Sequence, residues 1–179
     1  MKASVFIATS VDGFIARQDG GLDWLPAGGG EDHGYNEFFA SVDALVIGRK
    51  TFETAATFDP WPYGDKLVVV LTTKPSELVA PAGSTCEFIA GTPGEIVGWL
   101  SARGLQHLYI DGGLTIQRFL AAGLIQQLTV THVPVLLGSG IPLFGPVPHD
   151  IRLEHVRTRT YQSGLVQSEY TIAPNTPDS

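Results

Sequence analysis

The sequence has little of what several common enzyme classes need. It holds a single cysteine, Cys86, which excludes an internal disulfide and fits a reducing compartment, so we expect a cytoplasmic protein. Its five histidines show no metal-ligand spacing, so no metal ion is expected. A Walker A pattern, a complete G-x-G-x-x-G and a G-x-S-x-G motif are all missing. These absences leave metal-dependent and nucleophilic hydrolysis without visible machinery.

Positive charge and long apolar runs are also scarce. Eleven Lys and Arg against 18 Asp and Glu give a net charge of −7, which argues against a general nucleic-acid binder with a basic face. No apolar run approaches the ~18–20 residues of a membrane span. We interpret the short N-terminal run as a strand and not a signal peptide. With 179 residues, 44% hydrophobic, we expect one globular domain over residues 1–174 and a frayed tail over 175–179.

The hydrophobic patterns predict an α/β fold. Apolar runs predict strands at residues 3–8, 14–16, 44–47, 66–71, 86–90, 107–110 and 127–137, and helical spacing predicts helices at 31–42, from 50, at 93–103 and at 114–122. Residues 138–145 are predicted as a turn-rich loop. Two closing strands, 151–161 and 165–172, are predicted to form a hairpin. This order predicts a mostly parallel sheet with an antiparallel end and helices on both faces.

One edge of this sheet concentrates residues suited to phosphate. Three strand ends carry them: Gly48-Arg49, Thr72-Thr73-Lys74 and Asp111-Gly112-Gly113. Parallel strands bring such ends together, and helix starts offer free N–H groups and a favourable dipole. Arg49 adds a planar cation that fits phosphate geometry. Each end alone is equally compatible with a plain strand–turn–helix, but three together favour a phosphorylated cofactor.

A glycine-rich stretch precedes the first predicted helix. Residues 18–30 hold Trp24 and three consecutive glycines at 28–30, and such a segment is expected to be mobile. Two alternatives are open: an active-site lid carrying an exposed Trp24, or a surface loop with Trp24 packed on the core. Glu31 and Asp32 follow in the predicted first helical turn, where carboxylates stabilise the helix dipole.

Taken in order, residues 47–53, 70–73 and 110–113 resemble the dihydrofolate reductase superfamily. Within it, the chain is similar to the reductase domain of the bacterial bifunctional deaminase-reductase of riboflavin biosynthesis, over nearly all of residues 3–173. The loop at 138–144 resembles the riboflavin branch and not the folate reductases. No deaminase motif is present. The resemblance therefore implies a stand-alone reductase domain with a three-layer dihydrofolate reductase-like fold.

The resemblance implies NADPH as the cofactor. The positions that match the family's cofactor-binding motifs are Ala8, Gly13, Ile15, Gly48, Arg49, Thr51, Leu71, Thr72, Thr73, Asp111, Gly112, Gly113, Leu114 and Thr115. Among them, Arg49 would meet the 2′-phosphate with Thr72 beside it, which would favour NADPH over NADH. Gly112 and Gly113 would let the backbone approach the pyrophosphate.

The implied reaction is hydride transfer to a C=N or carbonyl-like bond of a pyrimidine- or pterin-type substrate, as in 5-amino-6-(5-phosphoribosylamino)uracil reductase. Asp32 falls at the position of the proton-relay acid, with Glu31 as the alternative, and Thr131 at that of a hydroxyl bonded to the acid. Trp24 and Tyr35 would contact substrate, and a homodimer is implied. Two other functions stay open: dihydrofolate reductase, and a non-catalytic NADPH-binding protein.

Overall fold

The computed structural model describes residues 1–27 and 31–173, which fold around one eight-stranded sheet. The strands are β1 Lys2–Ser10, β2 Phe14–Ala16, β3 Ala44–Gly48, β4 Leu67–Leu71, β5 Thr85–Ile89, β6 His107–Asp111, β7 Gln127–Val133, β8 Ile141–Pro142, β9 Leu153–Thr160 and β10 Val166–Ile172. The helices are α1 Tyr35–Ser41, α2 Arg49–Ala55, α3 Pro93–Ala102 and α4 Gly113–Ala121, with a 3-10 turn at Pro75–Glu77.

The sheet is mostly parallel, as predicted. Its strand order is β5-β4-β3-β6-β1-β7-β10-β9, and the first six of these strands run parallel. The closing strands β9 and β10 pair antiparallel with each other, and β10 pairs antiparallel with β7. Because β3 and β4 are buried on both faces, their sequences are continuous apolar runs. A separate small sheet pairs β2 with β8.

Helices cover both faces of the sheet, which confirms the predicted layers. Successive residues of a strand point to opposite faces. Val46 therefore joins the core beneath α3 and α4. Leu45 and Ile47 join a second, aromatic-rich core, which includes Phe52 of α2 and packs against Phe38 of α1.

The first helix begins later than the sequence predicted. The Asp32 side chain accepts hydrogen bonds from the backbone N–H groups of Gly34 and Tyr35, both at 3.1 Å, and Gly34 adopts a left-handed φ of 85°. This turn precludes helix before Tyr35. The predicted start at residue 31 is wrong, and the first helical turn takes its carboxylate from Glu37.

The predicted strand at 127–137 and loop at 138–145 are also corrected. The strand ends at Val133 because Pro134 follows, and proline has no N–H to donate to a neighbouring strand. Residues 141–142 then form β8 instead of a loop. Asp12 anchors this region, since its carboxylate accepts from the N–H groups of Leu137 at 3.1 Å and Gly138 at 2.7 Å.

Two predictions, the mobile glycines at 28–30 and the tail at 175–179, lie outside the described residues. In the part of the chain that the structure describes, no helix has the length and apolar character needed to cross a bilayer. Within the same part, no group of three or more His, Cys, Asp or Glu side chains is placed to hold a metal ion.

Candidate functional site

The three strand ends that the sequence singled out lie side by side. Strand β3 is flanked by β4 and β6, with Gly48 paired to Leu71 and Ile47 paired to Asp111. We call residues 48–51, 72–74 and 111–115 the glycine edge. Its location at the carboxyl ends of parallel strands is where α/β sheets bind ligands.

The two crossovers on either side of this edge are in direct contact. Gly112 has a φ of 93°, and a Cβ added there would overlap the Thr51 hydroxyl. A Cβ on Gly48 would lie 3.0 Å from the Thr115 hydroxyl. Glycine is therefore required at Gly112 on grounds of both conformation and space.

The turn after β1 reaches the same edge. A Cβ on Gly113 would lie 3.0 Å from the Ile15 side chain of β2. Gly13, with a φ of 89°, accepts a hydrogen bond through its carbonyl from the N–H of Leu143 at 2.9 Å. The structure thus brings Ile15 to Gly113 of the cofactor prediction, whereas Gly13 contacts the Leu143 backbone.

The helices at this edge differ in how they begin. The N-cap residues of α4 and α2 are Gly112 and Gly48, and within the described residues no side chain caps either helix. Helix α3 instead has a capping box formed by Thr92 and Glu95. Uncapped helix starts leave N–H donors for an anionic ligand.

Arg49, the cation predicted to select NADPH, is already paired with two carboxylates. Arg49 Nε donates to Glu53 at 2.7 Å, and Arg49 Nη1 donates to Glu77 at 2.7 Å. Lys74 Nζ lies 3.1 Å from the other oxygen of Glu77. Hydrogen bonds from Arg49 and then Lys74 hold the pKa of Glu77 below its usual range. We call these four residues the charge cluster.

The remaining cofactor positions are divided between surface and interior. Thr72 is buried, and its hydroxyl accepts from the N–H of Lys74 at 3.1 Å. Thr73 is exposed, and Leu114 leaves 61% of its surface to solvent in the first turn of α4. Thr73 and Leu114 therefore line the outside of the edge.

On the far side of β6, Ala8 and Thr131 are neighbours across the β1–β7 pair. The Thr131 hydroxyl accepts from the Gln167 side chain at 3.0 Å. Gln167 also donates to the His33 carbonyl at 3.0 Å and is only 2% exposed. Gln167 therefore fastens the segment before α1 to the sheet.

Asp32, the predicted acid, is not joined to Thr131. It is exposed, it turns its carboxylate to its own backbone, and no hydrogen bond links it to Thr131 among the described residues. Trp24 is half-buried, with a buried indole N–H that has no partner in the described part of the chain. Tyr35 packs edge-on against Phe6 of β1.

A different carboxyl, that of Asp111, lies at the centre of the candidate site. It ends β6, which lies between β3 and β1, and it is half-buried on the face that carries Tyr35, Tyr63 and Tyr109. Burial raises the pKa of Asp111 to about 6, against which only the 2.8 Å hydrogen bond from the Gly112 N–H acts. No cation pairs with Asp111 within residues 1–27 and 31–173.

The pKa values of the tyrosines around Asp111 are shifted by the same environment. Burial, and then the charge of Asp111, raise the pKa of Tyr35 to about 12. Burial and the Asp111 charge also raise the pKa values of Tyr63 and Tyr109. A proton at this site is therefore exchanged most easily by Asp111.

Sequence reasoning missed four features of this site: Glu53, Glu77, Gln167 and the acidic role open to Asp111. Glu53 had a local signal, because it lies four residues after Arg49, the spacing of a helical ion pair. Glu77 and Gln167 had none, since Arg49 and Thr131 lie 28 and 36 residues from them.

Comparisons with known proteins indicate the family of the chain. A family model for the RibD C-terminal domain matches residues 2–167. "Uncharacterized protein YwjB" of Bacillus subtilis (strain 168) is 33% identical over 175 residues, which are 96% of this chain and 98% of that protein. The crystal structure of a "Putative riboflavin biosynthesis protein" from Shewanella sp. PV-4 is 37% identical, has a TM-score of 0.87 and covers 97% of this chain and 100% of its own.

Two more distant structures share the fold. The deaminase/5-amino-6-(5-phosphoribosylamino)uracil reductase of Thermotoga maritima is 15% identical with a TM-score of 0.73, over 96% of this chain and 56% of that one. Dihydrofolate reductase from Enterococcus faecalis, complexed with NADP(H), is 18% identical with a TM-score of 0.65, over 97% of both chains. The predicted dihydrofolate reductase-like fold is confirmed. With its model matched across residues 2–167, the chain belongs to the RibD C-terminal domain family.

Proposed function

We propose that this protein is an NADPH-dependent reductase that delivers hydride to a C=N or carbonyl-like bond of a pyrimidine- or pterin-type heterocycle. The observation that carries the proposal is the meeting of three parallel strand ends at the glycine edge, where Gly112 permits contact with Thr51. Family membership and the named riboflavin-pathway relatives support the reaction class.

The residues at this edge fit a dinucleotide with an extra phosphate. The uncapped start of α4 would hold the pyrophosphate, and Arg49 with Lys74 would hold the 2′-phosphate. When bound, the cofactor supplies the hydride. The chain's own residues would bind the cofactor and orient it for the transfer.

The proton that accompanies the hydride is assigned to Asp111. Asp111 ends β6, the strand that pairs with β1, which carries Ala8, and with a pKa of about 6 it is protonated in mildly acidic solution. It would donate that proton to the substrate nitrogen as the carbon receives hydride. Asp32, exposed beside the segment held by Gln167, is the competing donor.

The direct test is cofactor titration followed by turnover. We expect NADPH to raise the melting temperature in a concentration-dependent way, and NADH to do so less at equal concentration, by binding linkage. Oxidation of NADPH is then followed at 340 nm with a panel of reducible pyrimidines, pterins and dihydrofolate. Absence of binding by both dinucleotides would overturn the proposal.

The turnover arm also separates the alternatives. Turnover of dihydrofolate alone would make the protein a dihydrofolate reductase. Binding of NADPH without turnover of any heterocycle would make it a non-catalytic binding protein. Reduction of a pyrimidine or another pterin supports the proposed reaction.

We also propose that two copies of this chain associate through β9. All eight residues of this edge strand are exposed, including Leu153 at 42% and Val156 at 53%, whereas β5 at the other edge is mostly half-buried. Long exposed edge strands with apolar side chains pair readily with another chain. Light scattering should give a dimer mass for the wild type and a monomer mass for Val156→Lys; a wild-type monomer would contradict the proposal.

A further inference from the structure

We propose that Glu77 sets how strongly this protein prefers NADPH over NADH, because its carboxylate engages the two cations that a ribose 2′-phosphate would use. The inference rests on the proposed function. It assigns specificity to a residue outside the positions that the sequence indicated for the cofactor.

The hydrogen bonds of Arg49 show why the carboxylates matter. One carboxylate occupies Nε and another occupies Nη1, each at 2.7 Å. Only Nη2 lacks a partner among the described residues. A phosphate binds arginine best through two parallel N–H bonds. A 2′-phosphate would therefore have to displace or share at least one carboxylate to obtain that geometry.

The charge cluster is electrically balanced, which bears on the same choice. Two cations, Arg49 and Lys74, face two carboxylates, Glu53 and Glu77. A dianionic phosphate gains less from a neutral cluster than from two unpaired cations. The ribose 2′-hydroxyl of NADH can instead donate a hydrogen bond to a carboxylate. The charge cluster therefore makes the difference in affinity between NADPH and NADH smaller than two unpaired cations would.

Glu77 has the larger influence of the two carboxylates because it bridges both cations. Its two oxygens contact Arg49 and Lys74 separately, whereas Glu53, one turn along α2, pairs only with Arg49 among the described residues. Glu77 also ends the 3-10 turn Pro75–Glu77 that follows β4. All these pairs are partly exposed, so a phosphate can displace them, and the effect is one of tuning and not of exclusion.

The test compares Glu77→Gln with Glu53→Gln, both of which keep side-chain size and remove one charge. Dissociation constants for NADPH and NADH are measured by calorimetry at one ionic strength. For Glu77→Gln we expect NADPH to bind about fivefold more tightly, with NADH changed by less than about twofold, the scale of one exposed ion pair. For Glu53→Gln we expect a smaller gain for NADPH.

The possible results distinguish failure of the inference from failure of the function. If wild type binds NADPH but Glu77→Gln leaves the NADPH-to-NADH ratio unchanged, the inference is wrong and the function stands. Equal weakening of both cofactors, or a larger gain from Glu53→Gln, would also overturn it. If wild type binds neither dinucleotide, both fail. Melting temperatures of both variants verify that each is folded.

Discussion

Helices α3 and α4 begin at the same edge of the sheet but in opposite ways. At α3, the Thr92 hydroxyl accepts from the Glu95 N–H at 3.3 Å, and the Glu95 carboxylate accepts from the Thr92 N–H at 2.8 Å. At α4, Gly112 offers no side chain at all. The chain thus satisfies its own donors where a helix only supports the fold and leaves them open where we propose a cofactor.

Gly112→Ala should have the largest effect on this comparison. The methyl would meet Thr51 and would force a side chain into a φ of 93°, which we expect to cost about 2–3 kcal/mol of unfolding free energy. Cofactor binding should be lost together with the geometry of the α4 start. Urea unfolding and NADPH titration measure both effects.

Gly98→Ala in α3 is the matched control. Nothing lies within 4 Å of the added methyl, and alanine favours a helix interior over glycine by about 0.5–1 kcal/mol. We expect a small gain in stability and unchanged NADPH affinity. A Gly112→Ala protein that bound NADPH normally would remove the α4 start from the proposed site.

Asp111→Asn should lower the rate next most strongly. If Asp111 supplies the proton, kcat/KM of the wild type should fall above pH about 6. The variant should be slower by about 100-fold, and its kcat/KM should not show this fall. Asp32→Asn should keep both rate and pH profile. The reverse result would assign the proton to Asp32.

The stability of the wild type should depend on the same carboxyl. Its pKa is raised from 3.8 to about 6, so the ionised form disfavours folding, and stability present below pH 3.8 is lost as the pH rises through 6. The difference in unfolding free energy between Asp111→Asn and wild type should therefore change by about 2 kcal/mol in favour of the variant between pH 4 and pH 7. A constant difference in unfolding free energy across that range would show that Asp111 has no raised pKa.

Arg49→Ala tests the second uncapped corner, with a smaller expected effect. NADPH affinity should fall about tenfold and NADH affinity hardly at all, since only the former has a 2′-phosphate. Arg103, paired with Glu87 and stacked over Trp99 of α3, provides the control, and Arg103→Ala should change neither constant. Equal losses for both cofactors in Arg49→Ala would separate Arg49 from the phosphate.

Thr92→Ala should give the smallest change. Loss of the α3 cap should cost about 1 kcal/mol of stability in urea unfolding, with no effect on NADPH affinity. Weakened binding would mean that the start of α3 also serves the ligand, and the contrast between the two helices would fail.

Sequence reasoning succeeded where the signal was local. The apolar runs around Val46 and Val69 fixed the parallel strands, and Gly48 and Gly112 marked the turns between strand and helix. It failed where contacts between residues far apart in the sequence determine the structure. The turn at Asp32 delays α1, β8 exists only through its pairing with β2, and Glu77 matters only because β4 lies beside β3.

The tether formed by Gln167 has a consequence for how the protein matures. It joins β10 to His33 across 134 residues of chain, so the segment before α1 is fastened to the sheet only after β10 has been synthesised. The central strand β1 likewise lacks its neighbours β6 and β7 until residues 107–133 have been synthesised. A nascent chain therefore completes the candidate site only after β10 has been synthesised.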